Sequence, residues 1–264
     1  MIGAGRNALV RARRNCPTVT SRLLLAASSS CMLIAAPAQE ADPISAERPG
    51  FSSSPLTLAR STWQLEVGYQ FTRDRDGVDI DDHTLPLMLL RIGLADRLEM
   101  QVNWAGVSWT DLNGRTIHGA NDASIGVKWQ LTDRDVSTPI GVFAGLSLPV
   151  GADEFTSDDV DPTFGLFWSH SGVADFFGTV LISHSDDDTV VDNAVGVSFS
   201  LDGTKGAYLE YVGRSAEGNG PEHAVNGGMT FLANENLQLD LQGGLGLNDR
   251  AADFFVGFGL AHRF

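Results

Sequence analysis

Between Gln64 and Arg263 the chain sets polar and charged side chains at every second position of short runs. Gln64 and Glu66 form one such run, Glu99, Gln101 and Asn103 another, Lys128 and Gln130 a third, and Gln238, Asp240 and Gln242 a fourth. Arg91, Glu210 and Arg263 hold the same place in runs of their own. Side chains two apart on an extended strand share a face, so each run offers a strip of carboxylates, amides and cations. Walls of this kind can line a polar conduit, whose chemistry is weak and reversible contact with a passing solute. The rival reading is that these groups pair with one another and fill an interior, as in barrels of about eight strands, whereas about 16 to 18 strands leave an aqueous channel. One run stays ambiguous, because Leu87 and Leu89 share the parity of Arg91.

Bond-making chemistry has poorer support. Ser169-His170-Ser171 and Ser183-His184-Ser185 supply the residue types of a hydrolase. An activated nucleophile also needs a base oriented by a third group, and neither a G-x-S-x-G elbow nor a phospholipase-type serine motif is present. These histidines are expected to end strands at a membrane interface, so no catalytic residue is assigned and the chain is read as not an enzyme. Asp74-Arg75-Asp76-Gly77-Val78-Asp79 faintly resembles a calcium loop but lacks the twelfth-position acid. No metal site is expected. No phosphate loop, zinc spacing or nucleotide fingerprint appears, so no cofactor is expected either.

The elements that must position the polar strips are strands. Trp63, Leu65, Val67, Tyr69 and Phe71 oppose Gln64, Glu66, Gly68, Gln70 and Thr72, a period of two with one apolar face. The same rhythm predicts strands at 84–94, 97–109, around 124–131, and at 139–150, 162–171, 175–184, 193–201, 206–213, 223–232, 236–247 and 252–264. That makes twelve, an even number, as a chain with both ends on one side of a membrane requires. Short turns alternate with acidic connections that carry Asp74 to Asp82, Asp153 to Asp161, and Asp186, Asp187 and Asp188. Trp63, Trp104, Trp109, Trp129, Trp168, Tyr211 and Phe264 fall near strand ends, as an interfacial girdle would. A soluble β-sandwich also alternates, but its outer face would be richer in Lys and Glu.

The ends of the chain add two independent signals. Arg6, Arg11, Arg13, Arg14 and Arg22 precede the apolar run from Leu23 to Ala36 and the small-residue site Ala36-Pro37-Ala38, the layout of a secretory signal. Cleavage is expected after Ala38. Of 18 basic residues five lie before that point, against 33 acids that all lie after it, so the mature charge is about −20. Such a chain is a poor partner for nucleic acid. Cys16 and Cys31 leave with the signal, which excludes a disulfide framework. No later stretch approaches the roughly 18 consecutive apolar residues of a helical span. Residues 39–61, with three prolines and several serines, read as an extended periplasmic segment, and the barrel as 62–264.

At the carboxyl end, Phe254, Val256, Phe258, Leu260 and Phe264 share one parity, so the most apolar face lies on what would be an exposed edge. Closing the sheet removes that edge. Bacterial outer-membrane barrels resemble this in ending on an aromatic residue read by the assembly machinery, which makes Phe264 the candidate assembly signal.

A family resemblance follows from Glu47-Arg48-Pro49-Gly50-Phe51 with Ser54-Pro55, Trp63 to Tyr69, Leu90 to Glu99, Ser124 to Trp129, Gly145 to Gly151, Asn236 to Asp240, and Phe255 to Phe264. These stretches resemble the transporter-like outer-membrane proteins grouped as the MetA-pathway of phenol degradation family, over about residues 46–264. The resemblance departs at Ala46, where the family often has other residues. It implies an outer-membrane barrel that takes up small compounds, with aromatic ones as candidates. The expectation is therefore an all-β protein, a single antiparallel transmembrane β-barrel of about twelve strands. Its partners would be outer-membrane lipids and lipopolysaccharide, the barrel-assembly machinery and a small-molecule solute passing by diffusion. The alternative is a structural or surface-interaction barrel with a filled lumen, and less favoured still is a lipid hydrolase.

Overall fold

The computed structural model describes residues 43–185 and 188–264. The predicted signal peptide, and Asp186 and Asp187 of the third acidic connection, lie outside the described residues. Fourteen strands are described: β1 (Trp63–Asp74), β2 (Ile80–Ala95), β3 (Leu98–Trp104), β4 (Val107–Leu112), β5 (Arg115–Ala120), β6 (Ala123–Gln130) and β7 (Ile140–Leu148). They continue with β8 (Asp161–His170), β9 (Asp175–Ser185), β10 (Asp188–Ser200), β11 (Lys205–Ala216), β12 (Glu222–Asn234), β13 (Leu237–Gly246) and β14 (Phe254–Arg263).

Every neighbouring pair is antiparallel, and the order β1-β14-β13-β12-β11-β10-β9-β8-β7-β6-β3-β2 returns to β1. The sheet is closed. Closure pairs Gln64 with Arg263 and Arg73 with Phe254 along the whole seam, and the Phe264 amide donates to Trp63 O at 2.8 Å. An open sheet could not satisfy those backbone groups in lipid, and a closed one does.

Twelve of the strands are staves of the barrel, and the remaining two continue staves beyond it. The long strand β2 pairs through Met88 to Ala95 with β3, and through Ile80 to Leu85 with β4. The sequence reading ran one strand from Arg97 to Trp109, but the chain breaks at Ala105-Gly106. Gly106 has φ +73°, and a Cβ there would sit 2.4 Å from Pro86 O, so only glycine fits. β4 and β5 then form a projecting hairpin. Its two-residue turn, Asn113-Gly114, has φ of 52° and 83°, the positive pair that matches strand twist.

A second irregularity settles the ambiguous parity of β2. The register shifts between Gly68, opposite Leu87, and Gln70, opposite Thr84, so Tyr69 spans both Leu85 and Pro86. This bulge turns Thr84, Leu87, Leu89 and Arg91 to the same face.

Burial is inverted relative to a water-soluble domain. The largest fully buried side chains are Arg91, Lys128, Gln64, Gln130, Glu66, Glu99 and Glu210. Outward, Leu241, Phe258 and Trp129 are each more than half exposed, at 59%, 56% and 55%. An apolar exterior around a polar interior is the surface of a membrane-spanning barrel. Not all the aromatics lie on it. Phe143, Tyr208 and Phe255 face inward, where their rings lie against Gly126, Gly228 and Gly244. Glycines on the inner face leave space that neighbouring rings fill, a use of aromatics that the strand-end pattern did not suggest.

Candidate functional site

The interior is occupied by the chain's own amino-terminal segment. Residues 44–61, read from sequence as an extended periplasmic lead, have no strand pairing but run around the inner wall. The reason lies in their backbone. An irregular segment carries unpaired N–H groups that need acceptors, and the inward polar side chains supply them. Glu66 accepts from the amides of Glu47 and Arg48, both at 3.0 Å. Gln242 accepts from Gly50 at 2.9 Å, and Glu210 from Phe51 at 2.6 Å and Ser52 at 3.2 Å. Thr179 takes the Ser53 amide at 3.0 Å, Gln130 that of Thr57 at 3.3 Å, and Glu99 that of Leu58 at 2.7 Å.

Close approach of the segment to the wall depends on glycines. A Cβ on Gly93 would lie 1.9 Å from Ala59 O, and one on Gly141 would lie 2.5 Å from Pro55 O. The ends of the segment are tied by backbone bonds: Ile44 N to Glu235 O at 2.9 Å, and Ser61 N to Gly93 O at 2.8 Å.

Glu47 is the hub. Its carboxylate meets Arg91 at 3.0 Å, forms an ion pair with Lys128, and accepts the Ser54 amide at 2.9 Å from the returning arm of the same segment. Arg91 grips Glu99 with two bonds of 2.8 and 2.9 Å, reaches Glu66 at 3.4 Å, and donates to Ser45 O at 3.0 Å. Lys128 also donates to Ser54 O at 3.0 Å and lies 5.3 Å from the Phe167 ring centroid. Charges taken out of water are costly unless paired in this way. Glu47 is only 7% exposed and Arg91 only 2%, so both side chains are packed away from solvent.

Arg48 points along the wall to β1, β14 and β13. Its guanidinium donates to Asp240 at 3.2 and 3.4 Å, and lies where Cβ atoms on Gly68 and Gly259 would be, 2.3 and 2.5 Å away. Those two glycines face each other across the closing seam of β1 and β14. Beside them Glu210 takes a further bond from Asn226 at 2.7 Å, and Tyr208 donates to Gln242 at 3.3 Å.

Twelve of the thirteen residues singled out from sequence belong to this interior, and the thirteenth lies at its rim. Gln64 donates to Glu66 at 2.9 Å and to Ser45 O at 3.1 Å. Gln101 donates to Glu99 at 2.8 Å, and Gln238 to Arg48 O at 2.9 Å. Asn103 sits in register between Leu89 and Ser124. Arg263 is at the end that holds Ile44 and Phe264, donating to Asn236 at 2.9 Å and to Glu235 O at 3.1 Å. Sequence reasoning passed over Glu47, Arg48, Thr179 and Tyr208. An acid and a base side by side in a lead rich in proline and serine were the available signal for the first two.

Other candidates do not converge. Ser169-His170-Ser171 closes β8 at the end that holds Phe264, where His170 Nδ1 is 2.8 Å from Thr138 Oγ1. His184 stands at the opposite end, in register with Thr189. The two stretches therefore share no site. In the first acidic connection Arg73 binds Asp81 at 2.7 Å, and Arg75 meets Asp79 at 3.4 Å and Asp81 at 3.2 Å, so several of the carboxylates have arginine partners. Asp74, Asp81, Asp82, Asp161 and Asp188, placed in loops by the sequence reading, belong to strands β1, β2, β8 and β10.

The family model described as "Putative MetA-pathway of phenol degradation" matches residues 46–264. The chain belongs to this family. The match begins beside Glu47, so the family's extent includes the lumenal segment as well as the barrel. Among solved structures, an outer membrane channel from Pseudomonas putida F1 is similar with a TM-score of 0.61 at 12% identity, covering 82% of this chain and 100% of that one. A KdgM porin in complex with disordered oligogalacturonate gives 0.50 at 9% identity, over 77% and 99% of the two chains. The beta domain of the Bordetella autotransporter BrkA also gives 0.50, at 11% identity and over 76% and 98%. At these identities the likeness is one of fold, that of outer membrane barrels. Comparison with curated proteins returns no match.

Proposed function

We propose that this member of the phenol-degradation family is an outer-membrane channel for small solutes, held closed by its own residues 44–61. The observation that carries the reading is the Glu47 hub. A segment packed by apolar contacts would be a fixed part of a core, whereas this one is held by ion pairs and by bonds from its amides to wall side chains. Water and a passing solute can replace such partners one at a time. Displacing the segment would bare a wall of polar side chains interspersed with aromatic rings through a barrel of twelve staves. Passage would be diffusive. Export by a signal cleaved after Ala38, insertion by the barrel-assembly machinery and contact with lipopolysaccharide complete the reading. The family name supports small aromatic compounds as solutes.

The test uses the absence of cysteine after residue 38. Cysteines at Ser53 and Thr179, whose backbone and side chain meet at 3.0 Å, would tether the segment to β9. In planar bilayers the oxidised Ser53→Cys, Thr179→Cys protein should show no conductance steps, and reduction should restore those of the untethered chain. Equal conductance in both states would refute closure by this segment. The second reading, a structural barrel with a permanently filled lumen, draws on the burial of the same network, and the untethered chain would then conduct nothing.

A further inference from the structure

We infer that the opened lumen selects cations, with Glu210 and Asp240 as the selecting carboxylates; the inference rests on the displacement of residues 44–61 proposed above. The two sides of the lumen differ in what they keep when the segment leaves. On β2, β3 and β6, Arg91 keeps Glu99 at 2.8 Å and Glu66 at 3.4 Å, and Lys128, which loses Glu47, stands in register opposite Glu99, so two bases there share two wall acids. On β11 and β13 the partners belong to the segment. Asp240 is paired with Arg48, and Glu210 accepts from the amides of Phe51 and Ser52, with only Asn226 from the wall. The next base along β11, Arg214, is held by Asp192 at 3.2 Å.

Withdrawal of the segment therefore exposes two carboxylates without a cation on one wall. Glu47 and Arg48 carry opposite charges, so their departure leaves the total unchanged and alters only its distribution. Carboxylates in a narrow passage with low-dielectric walls concentrate cations and repel anions. The closed structure also shows what fits there. The guanidinium of Arg48 lies in a notch floored by Gly68 and Gly259, where neither strand projects a side chain. The chemical class favoured is a small cation, including guanidinium and ammonium compounds, with Arg48 as the resident stand-in.

The experiment is a reversal-potential measurement in planar bilayers under a KCl gradient. It uses the mature Arg48→Ala chain, in which the closed state leaves Asp240 without its partner, after heat-modifiable migration shows a folded barrel. The expected result is a severalfold preference for K⁺ over Cl⁻ that falls toward unity when Glu210→Gln and Asp240→Asn are added. Guanidinium chloride should reduce the K⁺ current of Arg48→Ala more than that of the triple variant. Current that is unselective or prefers Cl⁻ overturns this inference and leaves closure by the segment standing. No current from Arg48→Ala or from the untethered chain overturns both. If Arg48→Ala does not fold, spontaneous openings of the wild-type chain, compared with Glu210→Gln alone, give the same discrimination.

Discussion

Arg48 and Asp240, 192 positions apart in the chain, meet inside the barrel at 3.2 Å, and the notch that admits the guanidinium exists because Gly68 and Gly259 oppose each other across the closing seam. The pair ties the segment to β13 and makes the glycines part of the closure. A Cβ at Gly68 would fall 2.3 Å from Arg48 Cζ. Gly68→Ala should therefore expel the side chain and raise the open probability in bilayers as Arg48→Ala does, at an overpacking cost of about 1–3 kcal/mol. Unchanged gating would show that the guanidinium can move aside without releasing the segment.

Arg91 stands among three carboxylates, Glu47, Glu66 and Glu99. Removing one partner of a buried ion pair leaves uncompensated charge, so Arg91→Ala should destabilise the folded barrel by about 3–5 kcal/mol in urea unfolding from detergent micelles. Arg91→Lys should recover only part of this, since an ammonium cannot make the two parallel bonds to Glu99. Equal stability of the Lys variant and the wild type would mean that charge alone matters.

Phe264 is largely exposed on the outside of the barrel, edge-on to His262 with ring centroids 4.6 Å apart. Its side chain adds little to the folded core, so deleting it should leave secretion intact and lower the amount of heat-modifiable barrel in the outer membrane. Assembly at the wild-type level would remove Phe264 as the assembly signal.

Asp202, in the turn between β10 and β11, accepts from the Thr204 amide at 2.8 Å, the Thr204 hydroxyl at 2.9 Å and the Lys205 amide at 2.9 Å. The Thr204 amide and hydroxyl, then Lys205, lower its pKa to about 2. The folded pKa lies below the ordinary carboxylate value, so the turn's stabilisation is complete above that value and is lost as pH falls through about 2. A carboxyl-detected NMR titration should place the midpoint there, and Thr204→Ala should move it upward. A midpoint near the ordinary aspartate value would contradict the turn geometry.

Much of the barrel was legible in the sequence because a period of two is a local property. Alternation fixes which side chains share a face, so Gln64, Glu66, Lys128, Gln130 and Asp240 could be assigned to the lumenal face before any pairing was known. The parity of Leu87, Leu89 and Arg91 could not be turned into a face, since the bulge opposite Tyr69 is a property of two strands together. The break at Ala105-Gly106 was hidden for the same reason, because it depends on the approach of Pro86 O.

By itself, then, the sequence determined an acidic chain of two-faced strands ending on an aromatic residue, because charge, composition and strand period are carried by neighbours in the chain. Only the tertiary structure decided what fills the lumen. Residues 44–61 have no period of their own, and their position follows from unpaired amides seeking acceptors that closure collects from β1, β3, β6, β9, β11 and β13. Until the seam between β1 and β14 brings those strands around one space, Glu47 and Arg48 are two adjacent charges with nothing to bind.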